Sequence, residues 1–208
     1  MLLKAWLADR GQVAKPWVVI SAAISFSMLA AIYLCATYWP NPQSVNESYT
    51  PLFTTRGDFG SVLNLMKANL MVLAIYVVAC VAVWMVNVRI EFAPSRQALQ
   101  SAVCQLTIGL VTALIIFAIG RQIIYIAGNM VAASNTLDLS VLTLMARASL
   151  HGLFELTAIF LPLGALILLG RRRQWDQLPA AAALSTIVAI PMLLIAAGIE
   201  TWVTGGLF

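Results

Sequence analysis

Five runs of apolar residues, each long enough to cross a bilayer, leave this chain few ways to fold. They lie at about 17–38, 68–87, 102–120, 149–170 and 179–203, and a helical crossing needs about 20 residues. Hydrocarbon offers no water to bond exposed peptide groups, so a crossing segment must be a helix or belong to a closed barrel. The runs are continuous, without the alternation of barrel strands, so helices are expected. Composition agrees: 62% of the 208 residues are hydrophobic and 10% charged, where a soluble domain carries roughly a quarter charged. The expected fold is an all-α, polytopic helical membrane domain spanning residues 1–208. It has about five transmembrane helices plus one surface or re-entrant helix near Leu137–Met145, a stretch too short to span and flanked by charge.

The net charge of +4 does not point to nucleic acid, because the basic residues cluster at the ends of apolar runs, as the positive-inside rule expects. With five crossings, Lys4, Arg10, Lys15, Arg89, Arg96 and Arg171–Arg173 share one side. Arg56, Lys67, Arg121 and Arg147 share the other, so eight of the twelve basic residues face four. That imbalance predicts a cytoplasmic N-terminus and Arg171–Arg172–Arg173 cluster, with the C-terminus outside the cell membrane. The cluster reads as a topology determinant that contacts lipid phosphate, or as a docking point for a cytoplasmic partner. Residues 41–62 form the longest polar stretch and are expected to be an irregular loop, and Asn46-Glu47-Ser48 matches a glycosylation acceptor. Cys35, Cys80 and Cys104 all lie in apolar runs and read as small buried residues. No cleavable leader is expected, since the first apolar run is full length.

The fourth run, Ser149–Gly170 (SLHGLFELTAIFLPLGALILLG), carries His151 and Glu155 inside the span. Four residues apart, they share one helix face. Ionisable residues at membrane depth are costly and mark functional sites by default. Pro162 in this run and Pro191 in the fifth remove backbone bonds and are candidate hinges. The predicted topology brings further polar groups to the same level: Asn69 opens the second span, Arg121 closes the third, and Glu200 lies near the end of the fifth. His151, Glu155, Glu200, Arg121 and Asn69 should form one polar cluster, with Arg121 as the cation, since buried charges must be paired. Such a cluster can be a structural lock between helices, the lining of a substrate or ion path, or a metal site. One histidine and two carboxylates are acceptable zinc ligands, although H-x3-E lacks the second histidine of the H-E-x-x-H motif. There is no G-x-S-x-G, Walker A, G-x-G-x-x-G or C-x-x-C motif, so no cofactor is expected.

Three of these stretches resemble the stage II sporulation protein M family of integral membrane proteins. Leu150–Ile159 (LHGLFELTAI) is similar to the family's histidine-glycine segment followed by a glutamate. Pro191–Thr204 (PMLLIAAGIETWVT) looks like its closing helix, and Leu63–Leu73 (LNLMKANLMVL) like its asparagine-bearing helix, with Ala68-Asn69 where paired asparagines are usual. Gly128-Asn129 falls where the family has asparagine-glycine, in reversed order. The resemblance implies a multi-span membrane protein that works with partners, and carries over His151, Gly152, Glu155 and Glu200 without assigning them roles. The expected function is a non-enzymatic, permease-like or scaffolding subunit of a membrane complex. Its partners would be the lipid bilayer and other proteins, such as an ATPase or a cell-wall enzyme, with self-association compatible and no nucleic acid. The alternative is an intramembrane metal-dependent hydrolase using His151, Glu155 and Glu200.

Overall fold

The computed structural model describes residues 10–40, 59–91 and 97–204. Most of the polar loop, with the Asn46 acceptor, and Arg96 lie outside them, as do Lys4 and the first residues of the chain. The described residues form α1 (Arg10–Thr37), α2 (Phe59–Glu91), α3 (Gln97–Leu137), α4 (Val141–Arg172) and α5 (Leu178–Gly198). A short 3₁₀ turn, Trp175–Gln177, precedes α5, and a π-helical turn, Ile199–Thr204, follows it. Each of the five α-helices contains a segment long and apolar enough to cross a membrane. The protein is an all-α, multi-pass membrane domain.

Two tight turns set the antiparallel course of the last three helices. Asp138 adopts φ 53° and stops α3. Ser134 Oγ donates to the Leu139 carbonyl across that turn, and Ser140 caps α4 by accepting from the Thr143 amide at 3.2 Å, satisfying one of the free donors of a helix start. At the other end, Arg173 takes φ 56°, and the amides of Arg173 and Gln174 return to the Gly170 and Leu169 carbonyls. This is the left-handed closure that ends many helices. Pro179 then sits in the first turn of α5, where a missing N–H costs nothing.

α4 is the central element. It packs against α1, α2, α3 and α5, and from Leu156 to Ala165 every residue is buried. α1 meets it with Trp17, Ser21, Ser25, Met28, Ile32 and Ala36, a stripe at three- and four-residue spacing. Gly164 permits the contact: a Cβ there would collide with Ser21 Oγ and lie 3.2 Å from the Trp17 carbonyl oxygen. Small residues that let helices approach are how membrane helices gain packing energy. Around Pro162, donors from two neighbours reach the α4 backbone. Trp17 Nε1 donates to the Leu161 carbonyl at 2.6 Å, Ser21 Oγ to that of Phe160 at 3.2 Å, and Cys80 Sγ to that of Pro162 at 3.3 Å. α4 runs on through Pro162, and α5 through Pro191.

The third span corrects the sequence reading in extent. The expected end at Gly120–Arg121 is mid-helix, and α3 continues to Leu137, with Ala127–Ala133 all buried. The stretch assigned to a separate surface or re-entrant helix is divided. Leu137 ends α3, while Val141–Met145 opens α4, with Leu144 and Met145 buried. Small residues (Gly128, Ala132, Ala133) pack as readily in a membrane helix as they populate loops, which is why polarity alone misplaced this boundary.

Candidate functional site

The α4–α5 hairpin sets the level of the site by helix rise alone. His151 lies about 32 Å from Arg172 along α4, and Glu200 about 33 Å from Leu178 along α5 and its extension. The two meet, with His151 Nε2 at 3.7 Å from Glu200 Oε2 and side-chain exposures of 6% and 15%. Glu155 follows His151 by one turn on the same face. One ligand atom from each of His151, Glu155 and Glu200 lies within 4.8 Å of the others. Asn69, buried on α2, hydrogen-bonds the Glu155 side chain. Three elements therefore converge: α2 through Asn69, α4 through His151 and Glu155, and the π-helical turn through Glu200.

α5 ends at Gly198, a weak helix former, and the wider winding of Ile199–Thr204 carries Glu200. Turns of this kind are frequent at functional sites.

Arg121 does not join the cluster. It lies about 24 Å back from the end of α3, close in level to Glu155 at about 21 Å from the start of α4. Its side chain is exposed and pairs with neither carboxylate. Because α3 continues past Arg121, the residue is a mid-helix position on an outward face, where a long side chain can extend its charge toward the membrane surface. Arg147, half-buried one turn before His151, is the basic residue nearest in sequence to the three titratable members of the cluster, and Lys67, two residues before Asn69, is exposed. Arg171, Arg172 and Arg173 are exposed at the opposite end of α4. Gly152 has open space around its α-carbon, so no packing demand fixes it as glycine.

Two polar residues escaped the sequence reading. Thr201, next to Glu200, is 6% exposed, and its Oγ1 has no hydrogen-bond partner. Tyr76 is 1% exposed, its hydroxyl is likewise without a partner, and its ring meets that of Phe160 in a tilted contact with centroids 5.6 Å apart. Tyr76 follows Asn69 by seven residues on α2, so the helical period that put Asn69 inside also signals Tyr76. Buried hydroxyls without partners are rare in folded proteins and call for a reason.

Chemically, the cluster offers one imidazole nitrogen and two carboxylates in a water-poor setting. It can bind a cation, hold or pass a proton, or orient a polar group of a passing ligand. In comparison with known proteins, no family model, no curated protein and no solved structure matches the chain.

Proposed function

We propose that the protein is a non-enzymatic, permease-like or scaffolding subunit of a membrane complex, with its buried polar cluster lining a substrate or ion path. One observation carries this reading: His151 and Glu155, inside the most buried of the five apolar helices, sit together with Glu200 of the turn that follows α5. Ionisable groups at such depth are retained where they act on something that enters the membrane domain. The chain carries no nucleotide-binding motif, so active transport would draw on a partner ATPase. The resemblance to the stage II sporulation protein M family points the same way, toward work with partners, and there a cell-wall enzyme is the other candidate. The orientation proposed from the basic residues places the N-terminus and Arg171–Arg173 in the cytoplasm of a cell whose plasma membrane holds the protein.

The test is Glu155→Gln, which keeps shape and hydrogen-bonding capacity and removes the charge. A path-lining role predicts normal membrane abundance with loss of the phenotype restored by the wild-type gene in a deletion strain. Full function in Glu155→Gln would contradict it and leave the cluster as a lock between helices. For orientation, a cysteine placed in residues 41–60 of a cysteine-free variant should label with an impermeant thiol reagent on intact cells, and one at 172–177 should not. The reverse pattern would invert the topology.

A further inference from the structure

We propose that His151, Glu155 and Glu200 bind one divalent metal ion of the zinc type within the membrane domain. The inference rests on the cluster being the working site described above, and names what that site holds. Three ligand atoms that all lie within 4.8 Å of one another have a common point no more than about 2.8 Å from each. Zinc bonds to nitrogen and carboxylate oxygen are about 2.0–2.2 Å long. Closing that gap requires inward shifts of about 0.7 Å, within the reach of side-chain torsions without moving a helix. A histidine with two carboxylates, leaving a further position for water, matches the three-ligand pattern of open zinc sites. Calcium would ask for six to eight oxygens, and magnesium for a near-ideal octahedron of them, so the imidazole nitrogen favours a transition-metal ion.

The surroundings support the same assignment. Asn69 hydrogen-bonds the Glu155 side chain and is placed to act as an outer partner that orients a ligand. The charge balance points in the same direction. Two carboxylates that stay ionised in a low-dielectric setting need positive charge nearby, and Arg121, the cation expected from the sequence, faces outward. A divalent ion would supply that charge, and Arg147 is the rival source.

The experiment uses the full chain, purified in detergent through a tag without histidines, with bound metals measured by plasma mass spectrometry. About one zinc per chain is expected. His151→Ala and Glu200→Gln should each lose at least nine-tenths of it, while Arg121→Gln retains it. Asn69→Ala should still load fully in excess zinc chloride, with affinity lowered about 10- to 100-fold in competition with a chelating dye. Chelator-stripped wild-type protein should take up zinc and unfold at a higher temperature. That second readout stands even where a ligand variant fails to fold. Stripped wild-type protein that takes up no zinc would overturn the proposal, as would equal retention in His151→Ala and Glu200→Gln. A zinc-free wild type destabilised by Arg147→Gln would also overturn it, in favour of an arginine counter-charge. Failure of the metal is distinguishable from failure of the path. A zinc-free protein inactivated by Glu155→Gln keeps the path and loses the metal. A zinc-binding protein that functions with Glu155→Gln keeps the metal and loses the path.

Discussion

α3 and α4 invert what hydropathy suggests. The crossing segment of α3 has the higher mean hydropathy, 2.4 against 2.1, yet 6% of its most apolar stretch is buried against 67% for α4. In water the more apolar helix would take the centre. In a bilayer, lipid tails are as apolar as leucine, so burial has to be driven by packing and polar contacts. α4 has what that requires: glycine and alanine where α1 approaches, a proline whose neighbouring carbonyls attract donors, and a histidine and a glutamate that need partners. The first half of α3 offers Leu106, Leu110, Leu114 and Phe117, all largely exposed, which lipid satisfies as well as protein does.

Paired substitutions, two pairs on these helices and one on the indoles of α1 and the π-helical turn, would sharpen or break this contrast. The largest difference is expected from truncating a phenylalanine. Phe160 is fully buried, and Phe160→Ala should lower stability by about 3 kcal/mol through the cavity it leaves. Phe117 is 70% exposed, and Phe117→Ala should change stability by no more than about 0.5 kcal/mol. Thermal unfolding in detergent measures both, and equal losses would end the distinction.

Enlarging a glycine comes next. Gly164→Leu drives a side chain into Ser21 and Trp17 and should cost about 1–3 kcal/mol. Gly109 on α3 has nothing within 4 Å, and Gly109→Leu should be close to neutral by the same unfolding measurement. The smallest effect is that of a single hydrogen bond. Trp17→Phe keeps an aromatic side chain, though a smaller one, and removes the donor to the Leu161 carbonyl, a bond worth about 1 kcal/mol. Trp202→Phe, at an exposed ring, should leave the unfolding midpoint unchanged.

The same contrast separates what was legible in the sequence from what was not. Span number and helical class follow from run length, because lipid forbids the alternatives. His151 and Glu155 declare themselves as charged groups in an apolar run, and Glu200 follows from counting residues along a hairpin. Asn69 reaches the cluster because it lies on the α2 face that also carries Leu73, Tyr76 and Val83, all buried. Arg121 could not be placed the same way. Its level was close to right, but the face a membrane helix turns inward depends on packing, and an apolar surface all round gives no stripe to read. The end of α3 was misread because a charge followed by small and polar residues looks like a helix stop. Small residues are also what lets Ala127–Ala133 pack inside.

The contact between His151 and Glu200 is the point on which both the fold of the α4–α5 hairpin and the nature of the site depend. It can be tested in native membranes with Cys35, Cys80 and Cys104 replaced by alanine, a protease site in the 173–177 turn, and the pair His151→Cys and Glu200→Cys. The membranes are treated with a reducible thiol-to-thiol cross-linker, long enough to replace the two side chains whose tips meet where a direct disulfide would not reach. After cleavage, the two fragments should migrate together until a reductant is added, while the pair Arg121→Cys and Glu200→Cys should separate without it. Fragments of the first pair that separate after cross-linking, or a second pair that bridges equally well, would contradict the hairpin register and the cluster built on it.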